Sequence, residues 1–132
     1  MLLDSAKPVL VVDPTGDAVP VISGLLQRVG AGPVERAENA EAALAFLNEK
    51  VPSLIISEWM MEPMSGADLV RALRAEKKTA SIPVMIATDT MNADEALHAL
   101  ELGVDAIAIV PLLPRDFLKK IDAIPNRDQS PS

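Results

Sequence analysis

At 132 residues with no cysteine, the chain suits one domain that removes roughly two thirds of its unfolded surface from water, and disulfides and thiolate metal sites are excluded. Apolar residues make up 49% of it, yet Phe46, Trp59 and Phe117 are the only aromatics, so a globular core must be built from Ala, Val, Leu, Ile and Met. Nineteen acids against twelve bases give a net charge of -7, which argues against nucleic acid, and no apolar run approaches the about 18 residues that a membrane span needs.

The opening Met1-Leu2-Leu3-Asp4-Ser5 lacks a basic segment followed by a long apolar stretch, so a soluble cytoplasmic protein is the expectation. Short apolar runs then alternate with amphipathic stretches, the pattern of successive βαβ units on a parallel sheet. Strands are predicted over residues 8–12, 33–37, 53–57, 82–87 and 105–110, with helices in the intervals. In the first helix Pro20 is tolerable if Asp17 is the cap, because a first-turn proline gives up a donor that had no intrahelical partner. Asn39 caps the second helix, where Ala40, Ala43, Leu44 and Leu47 form its apolar stripe. On the third, Arg71, Arg74, Lys77 and Lys78 read as a solvated basic face, or as a surface for an acidic partner. Asn92 and Glu95 open the fourth with a capping box, and Gly103 suits the turn that ends it. His98, the single histidine, reads there as an ordinary surface or boundary residue. No internal repeat is present. Apolar periodicity stops at Pro125, which predicts one unit over 1–125 and a mobile tail or linker stub over 126–132.

In an open parallel α/β sheet, functional groups gather beyond the carboxyl ends of the strands, so Asp13, Glu58 and Thr88 are expected to converge although far apart in sequence. With Val110 they stand at successive intervals of 45, 30 and 22 residues. Around them lie Pro-Val-Leu-Val-Val-Asp (8–13), Leu-Ile-Ile-Ser-Glu-Trp-Met-Met (54–61), Met-Ser-Gly (64–66), Ile-Pro-Val-Met-Ile-Ala-Thr (82–88) and Ala-Leu-Glu-Leu-Gly-Val-Asp (99–105). Over residues 7–124 this frame resembles the receiver domain of two-component response regulators, the CheY-like superfamily. The resemblance implies a doubly wound, five-stranded parallel sheet of flavodoxin-like (βα)5 architecture.

In active receivers an acidic pair after the first strand holds magnesium beside a phosphoacceptor Asp, a hydroxyl residue meets the phosphoryl group, and a Lys pairs with it. The metal neutralises the charge that arises when a carboxylate attacks a phosphoryl donor. Asp13 matches the first acid, but Pro14 takes the place of the second. Without its neighbour, Asp13 reads equally well as a local turn former. Glu58 stands at the acceptor, and its extra methylene carries the carboxylate forward by roughly 1.5 Å, where transfer is sensitive to misplacements of about 1 Å. Three readings of Glu58 are open: a carboxylate without a signalling role, an imitation of the phosphorylated state, or a residual acceptor. Thr88 keeps the hydroxyl, although a strand-end Thr also bonds locally to backbone. Val110 replaces the Lys and supplies neither charge nor donor. Ile107 falls where an aromatic switch residue is usual, and Glu62-Pro63 displaces the proline of the turn after the third strand by one residue.

The expectation that follows is a phosphorylation-independent pseudo-receiver, not an enzyme, which acts through protein contacts in bacterial two-component signal transduction. Its partner would be a histidine kinase, a phosphotransfer protein, another regulator or a second copy. No cofactor is expected beyond weak magnesium binding at Asp13 and Glu58, with Glu62 and Asp89 on the rim. The alternatives are an unconventional receiver that accepts a phosphoryl group at Glu58 and an ion or small-molecule sensor in the acidic pocket. A flavin-type phosphate site is disfavoured, because residues 13–17 offer carboxylates where a phosphate needs donors. In receivers the fourth helix, fifth strand and fifth helix commonly form the dimer or output face. Here Leu97, Ile107, Ile109, Leu112 and Leu113 are its candidate interface residues, although the run 107–113 also reads as a strand buried on both faces.

Overall fold

Three of the five strands begin directly after a proline. Pro8, Pro33 and Pro83 have no N–H to give to a ladder, but each carbonyl accepts the first cross-strand bond, from Ser53, Val9 and Ile55 respectively at 2.9 Å. In the computed structural model, which describes residues 3–125, these strands alternate with helices in the order β1 Val9–Val12, α1 Val19–Gln27, β2 Val34–Ala37, α2 Ala40–Phe46, β3 Leu54–Ser57, α3 Gly66–Ala75, β4 Val84–Thr88, α4 Ala93–Leu102, β5 Ala106–Ile109 and α5 Pro114–Asp122. Every predicted strand is present with ends moved by one or two residues. The fourth starts at Val84 and not at residue 82, for the reason that Pro83 gives. Residues 126–132, expected as a tail, lie outside the described residues.

The sheet is wholly parallel in the order β2-β1-β3-β4-β5, the doubly wound (βα)5 arrangement expected. Alternate strand residues feed two cores. Leu10, Val12, Ile55 and Ile86 meet Leu69, Val70 and Leu73 on one face, while Val9, Val11, Ile56 and Met85 meet Ile22, Leu26 and Phe117 on the other. Burial on both faces is why the strands read as unbroken apolar runs. As an edge strand β5 is the exception: within it only Ala108 is fully buried, and Ile109 is half exposed.

The predicted caps of α2 and α4 are realised. Asn39 Oδ1 accepts the Ala42 N–H at 2.7 Å, and Asn92 and Glu95 exchange side-chain to backbone bonds in a capping box, with Gly103 at φ 106° closing the far end of α4. Replacing Asn39 with Ala is expected to cost about 1 kcal/mol, read as a lowered urea midpoint with an unchanged slope. A capping box not foreseen starts α3, between Ser65 and Asp68. There the Ser65 backbone N–H, then its hydroxyl and Arg71, hold the Asp68 carboxyl below the usual carboxylate range.

Two expectations about helices need correction. Asp17 does not cap α1: the cap position is Ala18, with no side-chain bond of its own, and Pro20 falls within the first turn. Nor is the basic run one solvated helix face, since α3 ends at Ala75 and Lys77 and Lys78 lie beyond it. Arg71, Lys77 and Lys78 are exposed, but Arg74 turns inward beneath the α4–β5 connection. It donates to the carbonyls of Ala80, Ile82 and Gly103 and pairs with Asp105 at 3.2 Å. Helix termini leave carbonyls unpaired, and a planar guanidinium can satisfy several at once. His98 is exposed on α4, with its Nε2 3.3 Å from Arg71 Nη2.

Candidate functional site

The strand order reverses between β1 and β3, so the loops after these strands splay apart and leave a cleft at the carboxyl edge of the sheet. Its volume is about 430 Å3, and Asp13, Pro14, Glu58, Asp89 and Val110 line it. Parallel pairing carries on into both loops: Asp13 N donates to Ala37 O and Glu58 N to Val12 O, which fixes the two carboxylate-bearing residues side by side.

Asp13 is consumed by its own loop. Oδ1 accepts from the backbone N–H and the hydroxyl of Thr15, both at 3.2 Å, and Oδ2 accepts the Ala18 N–H at 3.0 Å. It therefore supplies the helix-start acceptor that had been expected of Asp17, and the turn-former reading describes its geometry. Arg36, on edge strand β2, straps the same loop by donating Nε to Asp13 O at 3.0 Å and Nη2 to Pro14 O at 2.8 Å. Gly16, at φ 79°, accommodates it, since a Cβ there would lie 3.2 Å from the guanidinium carbon. Nothing local in the sequence marks Arg36. Only the register that sets it beside Val11 brings it to the loop.

Glu58 also folds back: Oε2 accepts the Trp59 N–H at 2.6 Å and the Met60 N–H at 3.4 Å. Behind it the Ser57 hydroxyl donates to Glu58 O, and Gly66 N donates to Trp59 O at 2.8 Å. A Cβ at Gly66 would lie 2.7 Å from the Glu58 carbonyl oxygen, so a glycine is required where α3 starts against this loop. The Gly of the Met-Ser-Gly match is explained by that contact.

The convergence expected of three side chains is realised by two. Thr88 is fully buried, donates to Thr90 O at 3.4 Å and does not line the cleft. Asp89 reaches the rim instead, whereas Glu62 is exposed and does not line the cleft. Val110 faces the cleft while packing partly into the core beneath α1 and α5. Asp13, Asp17, Glu58 and Asp89 are four acids among the lining residues, which include no Lys or Arg. The wall between them is aliphatic, formed by Val11, Ile22, Ile56 and Leu112.

The donor set falls short of a receiver magnesium site. Pro14 offers no side-chain ligand, both oxygens of Asp13 and one of Glu58 already accept backbone N–H groups, and no group of three His, Cys, Asp or Glu among the described residues is arranged around a common point.

On the face formed by α4, β5 and the start of α5, Leu97, Ile109 and Leu113 are 59, 50 and 67% exposed. Leu100, not anticipated, joins them at 51%. Ile107 and Leu112 are less exposed than these, since both pack partly against the cores.

The sequence pattern of the response regulator receiver domain matches residues 9–122. The chain belongs to that family. It is 31% identical over 121 residues to the phosphate regulon transcriptional regulatory protein PhoB of Pseudomonas aeruginosa, covering 92% of this chain and 52% of that protein. Identity to the chemotaxis protein CheY of the same organism is 28%, over 88% of this chain and 94% of CheY. Among solved structures, CheY4 of Vibrio cholerae superposes with a TM-score of 0.80 at 25% identity, covering 90% of this chain and 98% of that one. The chain thus spans about half the length of the first curated relatives it matches. It is a receiver domain of two-component signalling with the CheY-like fold, and among its described residues no helix is long and apolar enough to cross a membrane.

Proposed function

We propose that this receiver domain works without phosphorylation, as a cytoplasmic protein-interaction module of bacterial signal transduction and not as an enzyme. The observation that carries the reading is the absence of any cationic side chain among the residues lining the cleft. A carboxylate approaching a phosphoryl group meets strong repulsion unless a cation offsets it, and a fixed charge stabilises that transition far more than a flexible solvent contact does. Val110 offers hydrocarbon where the family has an ammonium, and Pro14 removes the second acid. Magnesium contact at Asp13 and Glu58 is at most weak, and the chemistry of this site needs none. The unit is residues 1–125, with 126–132 as a tail or linker.

Contacts through α4, β5 and the start of α5 carry the function in this reading, with a histidine kinase, a phosphotransfer protein, another regulator or a second copy as the partner. Exposed leucine and isoleucine side chains on one face support it. Incubating the protein with acetyl phosphate and magnesium, followed by intact-mass spectrometry, is expected to show no phosphoryl adduct. A stable adduct at Glu58 would establish the opposite reading, a residual acceptor.

A further inference from the structure

A second cavity, about 630 Å3, is a groove between the end of α1 and α5, and it shares no lining residue with the cleft. Val29, Leu118 and Ile121 give it an apolar floor, while Arg28, Arg115 and Lys119 outnumber its single acid, Asp122. In a chain of net charge -7 this is a local reversal of sign. None of these three bases forms an ion pair among the described residues, where the pairs are Lys50–Glu35, Arg71–Asp68, Arg74–Asp105 and Lys120–Asp116. An occupant must therefore be apolar on one side and acidic beside it.

The outer arc of α4 has that chemistry. Residues three and four apart share a helix face, so Ala93, Leu97 and Leu100 form one exposed stripe and Asp94 and Glu101 the stripe next to it. Neither acid is engaged in an ion pair among the described residues. The two surfaces also lie on opposite layers. The inner side of α4 joins the core that holds α2 and α3, whereas α1 and α5 cover the other face of the sheet. One molecule can thus donate α4 and accept at its groove at the same time.

We propose that this domain self-associates head to tail, with α4 of one copy seated in the α1–α5 groove of the next. Such a contact is heterologous: it does not close at two copies unless a rotation happens to close a ring, and otherwise extends. The proposal rests on the reading of α4 as a docking face, and names its partner. Apolar contact supplies affinity, and the charged rims set register and make assembly sensitive to salt.

Sedimentation velocity of the full chain over rising concentration is the test. Species larger than a dimer are expected, and they dissociate as ionic strength rises. Leu97→Lys with Glu101→Lys disables the donor helix, and Arg115→Glu with Lys119→Glu disables the groove. Each double variant alone is expected to weaken association by about tenfold or more. Mixed in equal amounts, they are expected to form a pair that grows no further, since each retains one intact surface. All four positions are exposed, and circular dichroism confirms that the variants fold. A wild type that stays monomeric at every concentration, because a foreign helix or residues 126–132 occupy the groove instead, overturns the proposal. So does association abolished by the α4 variant and untouched by the groove variant. That second result marks a symmetric contact and leaves α4 standing as a docking face.

Discussion

Asp105→Ala is expected to destabilise the domain by about 3–5 kcal/mol, the cost of removing one partner from a buried ion pair. The Asp105 side chain is 3% exposed and that of Arg74 15%, so neither charge has ready access to water. Asp105 Oδ2 accepts from Arg74 Nη2 at 3.2 Å and from the Val84 N–H at 2.8 Å, so its loss takes the carboxylate from the guanidinium and the acceptor from a strand-initiating N–H at once. Total stabilities of such domains are about 5–15 kcal/mol, which makes this a large fraction of the whole. Urea denaturation at neutral pH measures it. A loss below about 1 kcal/mol would mean that the carbonyls of Ala80, Ile82 and Gly103 hold Arg74 well enough alone. Arg74→Met in the Asp105→Leu background is expected to recover part of the deficit, because an apolar pair of similar volume leaves no charge uncompensated. The consequence reaches function through geometry: Gly103 ends α4 and Asp105 precedes β5, so this pair fixes the angle at which the exposed leucines of α4 are presented.

Much of this architecture was legible because its signals are local. Apolar runs of strand length, and Asn39 and Asn92 ahead of amphipathic stretches, each act within a few residues, and the strands and caps appear within a residue or two of where expected. What the sequence concealed depends on register and on contacts across many positions. Asp17 stands nearest the start of α1 in sequence, and only the loop path shows that the Asp13 carboxylate meets the Ala18 N–H. Arg74 resembles Lys77 and Lys78 in a charge run, and only the fold brings the carbonyls of Ala80, Ile82 and Gly103 and the Asp105 carboxylate around it. Ile107 to Leu113 reads as one apolar block, yet β5 is an edge strand whose alternate residues divide between core and solvent. At the cleft the frame of Asp13, Glu58 and Val110 was visible through the resemblance to receivers. The burial of Thr88 was not, because nothing local to a strand-end threonine marks whether its side chain turns into the core or out to the cleft.

Pro14→Asp, Glu58→Asp and Val110→Lys combined are expected to convert a chain that shows no phosphoryl adduct into one that acquires it from acetyl phosphate and magnesium. Glu58→Asp alone is expected to remain inert. The three changes answer three separate deficits. Shortening Glu58 withdraws the carboxylate by roughly the length of one C–C bond, about 1.5 Å, to the reach of the family's acceptor. Pro14→Asp adds a second carboxylate at the mouth of the cleft, where Pro14 is exposed and its carbonyl remains available to Arg36. Val110→Lys introduces the only cation among the lining residues, from a position that already faces the cavity. A single positioned donor to a developing oxyanion is worth about 3–4 kcal/mol in rate, so the lysine is expected to contribute more than the acceptor's geometry does. Its cost is partial loss of core contact, since Val110 packs beneath α1 and α5. Labelling of the single Glu58→Asp variant at a rate close to that of the triple would show that acceptor length, and not cationic charge, keeps the natural chain silent. Failure of the triple variant, with its fold intact by circular dichroism, would instead place the block at Thr88, whose hydroxyl is turned to Thr90 O and away from the cleft.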